Sequence, residues 1–219
     1  YNLRVDDDHT YLANNIVVHN KSHGCFSGQE SVLTPQGLKE IKNIEIGSEV
    51  ISYDEKSDIF TTSTVGQVIV HDGKNSFMSD FNQHPLVKLS VKINDAVKET
   101  YVTDNHPYFD VIDRRYKALK DFKVGDLIKT TEGEGLIVSK EIIIDENSPA
   151  EMHNEVVYNL HMSEGPHCYV VNGAVVHNKC CFIAGTRILM TDDSEKNIED
   201  IKLGELVRTY NEKTKKIEN

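Results

Sequence analysis

The chain has 219 residues, with 35 acidic against 24 basic side chains and a formal net charge of −11. This acidic balance, with lysines scattered along the chain, argues against binding nucleic acid or an anionic membrane through a basic face. No apolar run approaches the ~20 residues that a membrane-spanning helix needs. We therefore expect partners other than nucleic acid or a membrane, and the hydrophobic content of 38% is sufficient for a packed core.

The cysteine content is low. Four cysteines stand at positions 25, 168, 180 and 181, and they form neither a disulfide framework nor a paired Cys-x-x-Cys metal motif. A cytoplasmic or otherwise reducing environment is favoured, while a secreted host protein is not excluded.

The segments between the turn signals predict short strands, because they are rich in Val, Ile, Thr and Tyr. In chain order, examples of the predicted strands are 49–53, 65–70, 86–93, 97–103, 135–144 and 156–162. Turn signals separate them at 35–37, 72–73, 94–95 and 172–173. No long amphipathic helix is predicted, so we expect an all-β architecture.

A passage near the start of the chain recurs near its end. Residues 9–21 read HTYLANNIVVHNK and residues 167–179 read HCYVVNGAVVHNK, with the same spacing from the first histidine to the asparagine. A second passage, which begins with Cys25-Phe26, recurs from Cys181. One full repeat therefore runs from Cys25 to Asn178.

The repeats predict the domain organisation of a window cut from a tandem array. The expected parts are the C-terminal piece of an upstream unit at 1–20, a linker at 21–24, a complete domain at 25–178, a linker at 179–180 and the N-terminal piece of a downstream unit at 181–219. Inside the complete unit, residues 119–128 resemble residues 41–51. This shorter echo predicts that the unit consists of two related halves.

Three motifs of the complete repeat resemble those of the Hint (Hedgehog/intein) superfamily, and in particular of bacterial intein-like domains. They are an opening motif from Cys25, a Thr-x-x-His motif at 103–106 and a closing motif over 158–178 that ends in His-Asn. The resemblance implies an all-β, horseshoe-like Hint fold with pseudo-two-fold halves. It also implies autocatalytic, single-turnover processing of the chain's own flanking sequences, without a cofactor and without a metal.

The resemblance assigns the first reaction to the opening and Thr-x-x-His motifs. The Cys25 thiolate would attack the carbonyl of Gly24 and convert that peptide bond into a thioester. Thr103 and His106 would hold the scissile amide and protonate its leaving nitrogen. A glycine before the nucleophile also tolerates backbone conformations that other residues do not.

The closing motif would carry the second reaction. The side-chain amide of Asn178 would attack its own carbonyl, close a succinimide ring and release Lys179. His177 would polarise that carbonyl, and His167 would protonate the departing amine. The partial repeats carry equivalents of these groups at His19, Asn20 and Cys181.

Lys179 is the main departure from inteins that splice, since those carry Cys, Ser or Thr directly after the terminal asparagine. A lysine side chain cannot accept the thioester, and Cys180, one residue further on, is the candidate acyl acceptor. We expect self-cleavage with splicing as a minor product. Gln29-Glu30 and Asn159 are further departures from the family pattern.

Two alternative functions remain open. The unit could be a structural β-module in which processing is slow or absent. It could instead be a cysteine protease, because Cys25, His106 and Asn178 occur in the order of a Cys-His-Asn triad.

The remaining histidines suggest no metal site. His161, His167 and Cys168 lie close in sequence but lack a fourth ligand, so zinc is not expected. His71 and His84 have no identifiable partner and are expected in surface loops.

The terminal pieces have predictions of their own. Residues 181–219 lack a Thr-x-x-His segment and should be inert alone. Their strands could pair with residues 1–20 of the same chain or exchange with those of a neighbouring chain. Cys168 corresponds to Thr10 in the earlier copy, and this difference favours a structural or exposed role for the thiol.

Overall fold

A computed structural model of the chain describes residues 10–14, 16–19, 24–72, 81–177, 185–202, 204–211 and 214–218. The chain divides into two compact units. The central unit is Ser22–Lys179, and the terminal unit joins Tyr1–Lys21 to Cys180–Asn219.

The described residues form strands and short 3-10 turns. The strands are β1 Thr10–Ala13, β2 Ile16–His19, β3 Phe26–Ser27, β4 Ser31–Thr34, β5 Gly37–Glu40, β6 Glu49–Asp54, β7 Ile59–Asp72, β8 Leu86–Ile93, β9 Ala96–Thr103, β10 Pro107–Asp110, β11 Arg115–Ala118, β12 Leu127–Thr130, β13 Gly133–Ile144, β14 Val156–Glu164, β15 Cys168–Val171, β16 Ala174–His177, β17 Arg187–Leu189, β18 Glu195–Asn197, β19 Thr209–Asn211 and β20 Lys216–Glu218. The 3-10 turns are Ile41–Asn43, Leu119–Asp121, Met152–Asn154 and Ile198–Asp200. The predicted all-β architecture is confirmed.

A single long antiparallel sheet makes up the central unit. Its strand order is β5-β4-β15-β16-β10-β12-β13-β8-β9-β3-β14-β7-β6, with β11 beside β10. The consecutive strands β5 and β6 therefore stand at opposite ends of the order. Because β6 also packs against β4 and β15, the sheet curls back on itself and brings its two ends together.

The curled sheet encloses an apolar core to which nearly every strand contributes. β8 shows the pattern most clearly, since all of its residues except Lys88 and Lys92 are buried. Its two faces are both covered, which gives a nearly continuous apolar run rather than strict alternation. The core surrounds Phe26, Tyr108 and Tyr169, each of which is almost fully buried, so the candidate site lies against the core.

The two halves of the central unit repeat one local structure. The 3-10 turns before β6 and β12 lead into Gly47 at φ 87° and Gly125 at φ 100°. The N–H of Gly47 donates to the carbonyl of Val65 at 2.7 Å, and that of Gly125 donates to Ile137 at 2.8 Å. The internal echo in the sequence therefore corresponds to a repeated turn and strand pairing.

The terminal unit pairs the two ends of the described chain. Its main sheet has the order β18-β17-β1-β2, and β19 pairs with β20. A small apolar core holds these strands together, with members Tyr11, Ala13, Ile188, Met190, Ile198 and Val207. Residues from both ends of the sequence thus share one core. Among the residues that the structure describes, no helix has the length and apolar character to cross a bilayer.

Candidate active site

Cys25 stands at the entrance to β3, between two long strands of the sheet. Phe26 pairs with Tyr158 of β14 on one side and with Val102 of β9 on the other. This position leaves the Cys25 side chain fully buried, in a cluster that includes Phe81. Burial raises the pKa of the Cys25 thiol far above its ordinary value, because a thiolate is poorly solvated there.

The peptide bond between Gly24 and Cys25 is held by the Thr-x-x-His segment. The backbone N–H of Cys25 donates to Oγ1 of Thr103 at 2.8 Å. The backbone N–H of Thr103 donates to the carbonyl of Cys25 at 2.9 Å. The Thr103 hydroxyl itself donates to Oδ1 of Asn105 at 2.7 Å, which orients an oxygen lone pair toward the Cys25 nitrogen.

Gly24 lies directly against the backbone of His106. A Cβ added at Gly24 would stand 2.2 Å from Cα and 2.5 Å from Cβ of His106, which is far inside van der Waals contact. Only glycine fits at this close approach. Gly24, which precedes the predicted nucleophile, and the histidine of the Thr-x-x-His motif therefore touch.

His106 is enclosed by aromatic rings. It is fully buried, and its ring centroid lies 4.2 Å from that of Phe26, 6.1 Å from Tyr108 and 6.4 Å from Tyr169. Its backbone is fixed as well, since its N–H donates to the Thr103 carbonyl at 3.1 Å.

The closing hairpin β15–β16 reaches the same region through β10. Val176 of β16 pairs antiparallel with Tyr108 of β10, and continuing this register by one residue sets His177 opposite Pro107. His177 is half-buried, and its ring lies 4.4 Å from that of Tyr116. The end of the closing strand and the Thr-x-x-His segment are therefore neighbours in the sheet.

Tyr169 joins the closing hairpin to β14. Its hydroxyl donates to Oδ1 of Asn159 at 2.6 Å, and the N–H of Leu160 donates to the same oxygen at 2.8 Å. Burial raises the pKa of Tyr169 well above its ordinary value, so the phenol remains a hydrogen-bond donor. Its ring packs near both Phe26 and His106.

The chain is similar to solved structures of inteins. The bacterial intein-like domain from Clostridium thermocellum is similar, with a TM-score of 0.54 and 24% identity over 70% of this chain and 98% of that chain. The Ssp DnaB mini-intein variant M86 has a TM-score of 0.54 and 16% identity over 74% and 98% of the two chains. A DnaB intein from Synechocystis has a TM-score of 0.51 and 19% identity over 72% and 99%. The chain has the intein fold.

Sequence comparison gives a more limited likeness. No protein-family model matches the chain. Warthog protein 6 of Caenorhabditis elegans is 30% identical over 122 residues, which are 54% of this chain and 19% of that protein. The chain thus spans about a fifth of the length of this curated relative.

Within the intein fold, the predicted residues of the first reaction are brought together, and those of the second are described in part. His167 is exposed, with its ring 6.3 Å from that of His161. His19 ends β2 opposite Thr10. The other predicted residues lie outside the described part of the chain: Asn20, Asn178, Lys179, Cys180 and Cys181.

Cys168 has a structural position in the intein fold. Its thiol is buried, donates to the carbonyl of Tyr53 at 3.1 Å and accepts the N–H of Tyr53 at 3.2 Å. Ser52 of the same strand donates to the Cys168 carbonyl at 2.8 Å. These bonds join β6 to β15, where the curled sheet closes.

Glu30 connects the opening segment to β9 and to the turn of the closing hairpin. It is buried, and Oε1 accepts the N–H of Tyr101 of β9 at 3.0 Å. Its other oxygen accepts the side-chain amide of Asn172, which lies in the turn of the closing hairpin. Burial raises the pKa of Glu30, against the lowering effect of these hydrogen bonds. Glu30, one of the two residues in the Gln29-Glu30 departure from the family pattern, therefore has a structural role in these contacts.

The prediction for His84 was wrong in one respect, because it has a partner. Its Nδ1 lies 3.3 Å from Oδ1 of Asp104, and both side chains are mostly buried. Asp104 lies within the Thr-x-x-His segment, directly after Thr103, so its contact with His84 connects that segment to the loop before β8. His71 lies in β7 opposite Val157 rather than in a loop. Among the described residues, no three His, Cys, Asp or Glu side chains converge as a metal site requires.

Proposed function

We propose that the central unit is a self-processing domain that cleaves its own backbone at Gly24–Cys25 and Asn178–Lys179. The observation that carries this proposal is the hydrogen bond from the Cys25 N–H to Thr103 Oγ1 at 2.8 Å. It engages the nitrogen that must leave, and it does so with Thr103, the residue to which the family resemblance assigns that step. The intein fold supports the same reaction class.

The first step is an isomerisation that changes no atom count. Sγ of Cys25 forms a bond to the carbonyl carbon of Gly24, the bond from that carbon to the Cys25 nitrogen breaks, and the nitrogen becomes an amine. The proton lost by the thiol is balanced by the proton that the nitrogen gains, and His106, in contact with Gly24, carries it. Water or an added thiol then releases the upstream segment from the thioester.

The buried thiol makes this step slow at neutral pH. Burial raises the pKa of Cys25, so only a small fraction of the side chain is thiolate, the nucleophilic form.

The second step is the cyclisation of Asn178. Its side-chain nitrogen loses a proton and bonds to the carbonyl carbon of the same residue, and the amine of Lys179 leaves with a proton. His177 precedes this residue directly and polarises the carbonyl, while His167 is the proton donor. The neighbourhood of β16 and β10 supports a common site for both steps.

Cleavage at both ends is the main outcome, and splicing is minor. Lys179 offers no side chain that can take the acyl group from Cys25. Cys180 is one residue too far for the ring size of a direct transfer, so hydrolysis of the thioester is faster than ligation. The expected products are the excised domain and two separate flanks.

The buried thiol equally favours a second candidate, a structural β-module in which the same chemistry does not proceed. A cysteine protease is less favoured, because Cys25 is fully buried and Gly24 of the same chain lies beside it. An added peptide could therefore not reach the thiol. Cleavage of added peptides would support the protease. Strictly intramolecular cleavage would oppose it.

Intact mass spectrometry of the purified chain, with and without dithiothreitol, tests the proposal. Thiol should release the segment that ends at Gly24, and Cys25→Ala should abolish that release without affecting cleavage after residue 178. Asn178→Ala should have the opposite selectivity. Cys168→Thr is the matched thiol control, since it removes a buried cysteine and supplies a hydroxyl that can make the same two hydrogen bonds to Tyr53. Absence of fragments under all conditions would favour the structural module.

A further inference from the structure

The terminal unit joins two segments that are distant in sequence. Their strands pair in the same register as the equivalent strands of the central unit. The leading segment, Tyr1–Lys21, supplies β1 and β2, and the trailing segment, Cys180–Asn219, supplies β17 to β20. Tyr11 pairs with Val18 as Tyr169 pairs with Val176. The strand junction is also equivalent, because β1 lies beside β17 as β15 lies beside β4.

Two asparagines make the same contacts at the two junctions. Asn14 at φ 48° accepts the N–H of Arg187 at Oδ1 (3.1 Å) and donates its own N–H to the Arg187 carbonyl (2.8 Å). Asn172, also at φ 48°, makes the same pair of bonds with Ser31 at 3.0 Å and 2.9 Å. The leading segment therefore recognises the trailing segment as a closing hairpin recognises its own opening strand.

Thr10 makes the contact that Cys168 makes in the central unit. Its Oγ1 donates to the carbonyl of Tyr210 at 2.8 Å and accepts the N–H of Tyr210 at 2.7 Å. Cys168 bonds the same two backbone groups of Tyr53 through sulfur. The residue types differ between the repeats, but both side chains donate one hydrogen bond and accept another.

The apolar core of the terminal unit requires both segments. The leading segment contributes the fully buried Tyr11 together with Ala13, and the trailing segment contributes Ile188, Met190, Ile198 and Val207. A two-stranded hairpin alone is marginal in water. Each segment therefore buries its apolar residues against the other.

We propose that the leading and trailing segments bind each other independently of the chain that connects them, so that the two flanks stay associated after the central unit is excised. The excision rests on the function proposed above, whereas the binding does not. Chain connection only raises the effective concentration of one segment at the other. The partner of the trailing segment is defined chemically as a closing hairpin with a hydroxyl at the position of Thr10 and an asparagine in its turn.

Site-specific cleavage of the full chain tests this binding without using its own chemistry. A chain with Cys25→Ala and Asn178→Ala carries one inserted protease recognition sequence after Lys21 and another after Lys179, at the boundaries of the two units. After both cuts, native mass spectrometry and size-exclusion chromatography should recover the leading and trailing segments as a 1:1 complex. Prompt separation of the two segments after both cuts, with no further substitution in either segment, would overturn the proposal.

Two isoleucines provide a matched control. Ile188→Asp places a charge in the core of the terminal unit, whereas Ile16→Asp makes the same change at a side chain that is 66% exposed. Ile188→Asp should accelerate dissociation of the segments by at least about tenfold, and Ile16→Asp should change it by less than about threefold. Equal effects of the two substitutions would refute the interface.

A milder variant addresses the case in which Ile188→Asp prevents the terminal unit from folding. Thr10→Val keeps the shape of the side chain but removes both hydrogen bonds to Tyr210. It should accelerate dissociation several-fold, and an unchanged rate would count against the proposed contact. Because the protease makes the cuts, failure here leaves self-cleavage untouched, and failure of self-cleavage leaves this binding intact.

Discussion

Gly24→Ala tests the contact between the residue upstream of Cys25 and the Thr-x-x-His segment. The added methyl would lie 2.2 Å from Cα, 2.5 Å from Cβ and 2.6 Å from the backbone nitrogen of His106. Relief of this overlap requires the two backbones to separate by about 1.5 Å, to a normal contact of ~3.7 Å. The Cys25–Thr103 hydrogen bond of 2.8 Å would be lost in such a shift, since it fails beyond ~3.5 Å.

The expected cost follows from overpacking of a buried position. Insertion of a methyl into a packed site costs about 1–3 kcal/mol, which corresponds to a roughly 5- to 150-fold slower reaction if the cost is borne by the reactive geometry. The assay is the rate of thiol-induced release of the upstream segment, followed by intact mass in a chain that also carries Asn178→Ala. The melting temperature should fall by about 2–12 °C.

Gly135→Ala is the control for general destabilisation. It is a buried glycine of β13 whose added Cβ would lie 2.7 Å from side-chain atoms of Thr130 and Val91, away from the scissile bond. It should lower stability but change the cleavage rate by no more than about twofold. Wild-type cleavage by a folded Gly24→Ala variant, or equal rate losses in both variants, would refute the reasoning.

Three further outcomes are expected. Asn105→Ala should slow thiol-induced cleavage by about tenfold, because the Thr103 hydroxyl loses its acceptor. If Thr103→Val slows cleavage but Asn105→Ala does not, the Asn105 amide has no positioning role. Cys168→Thr should keep the free energy of unfolding in urea within ~1 kcal/mol, whereas Cys168→Ala should lower it by ~1–3 kcal/mol, since the buried N–H and C=O of Tyr53 lose their partner; equal values would contradict this. Burial raises the pKa of Cys25, so the thiolate fraction, and with it the rate of N-terminal cleavage, should rise about tenfold per unit from pH 7 to 9; a plateau in this range would contradict a raised pKa.

The sequence predicted the long strands better than the short ones. All six predicted segments are strands, and β7 extends over Ile59–Asp72 rather than 65–70, because its first half is rich in polar threonines that pair as well as apolar residues do. Four of the short strands, β3, β10, β15 and β16, were not predicted individually. They have two to four residues and are buried without alternation, so neither length nor periodicity distinguishes them from turns.

The sequence predicted the residues of the candidate site that belong to recognisable motifs. It did not predict the residues whose contacts depend on which strands pair. Thr103 and His106 were identified from the motif, and Gly24 from its position before Cys25. Asn105 was part of the motif but received no role, because its bond to the Thr103 hydroxyl is a matter of local geometry. Tyr169 could have been found, since the repeat preserves it as Tyr11.

Glu30 shows why the rest could not be predicted. Its bonds to Tyr101 and Asn172 join residues that are 71 and 142 positions away in sequence. Such contacts depend on which strands become neighbours when the sheet curls, and a single sequence does not specify that order. The residue therefore appeared only as a departure from the family pattern.

The close contact at residue 24 has a consequence for transplanting the domain. A unit that touches its upstream neighbour through bare backbone is best suited to hosts that offer a glycine at the junction. Under the proposed function, a larger residue there would slow separation from the host by the factor expected for Gly24→Ala. Portability thus depends on a single methyl group on the host side.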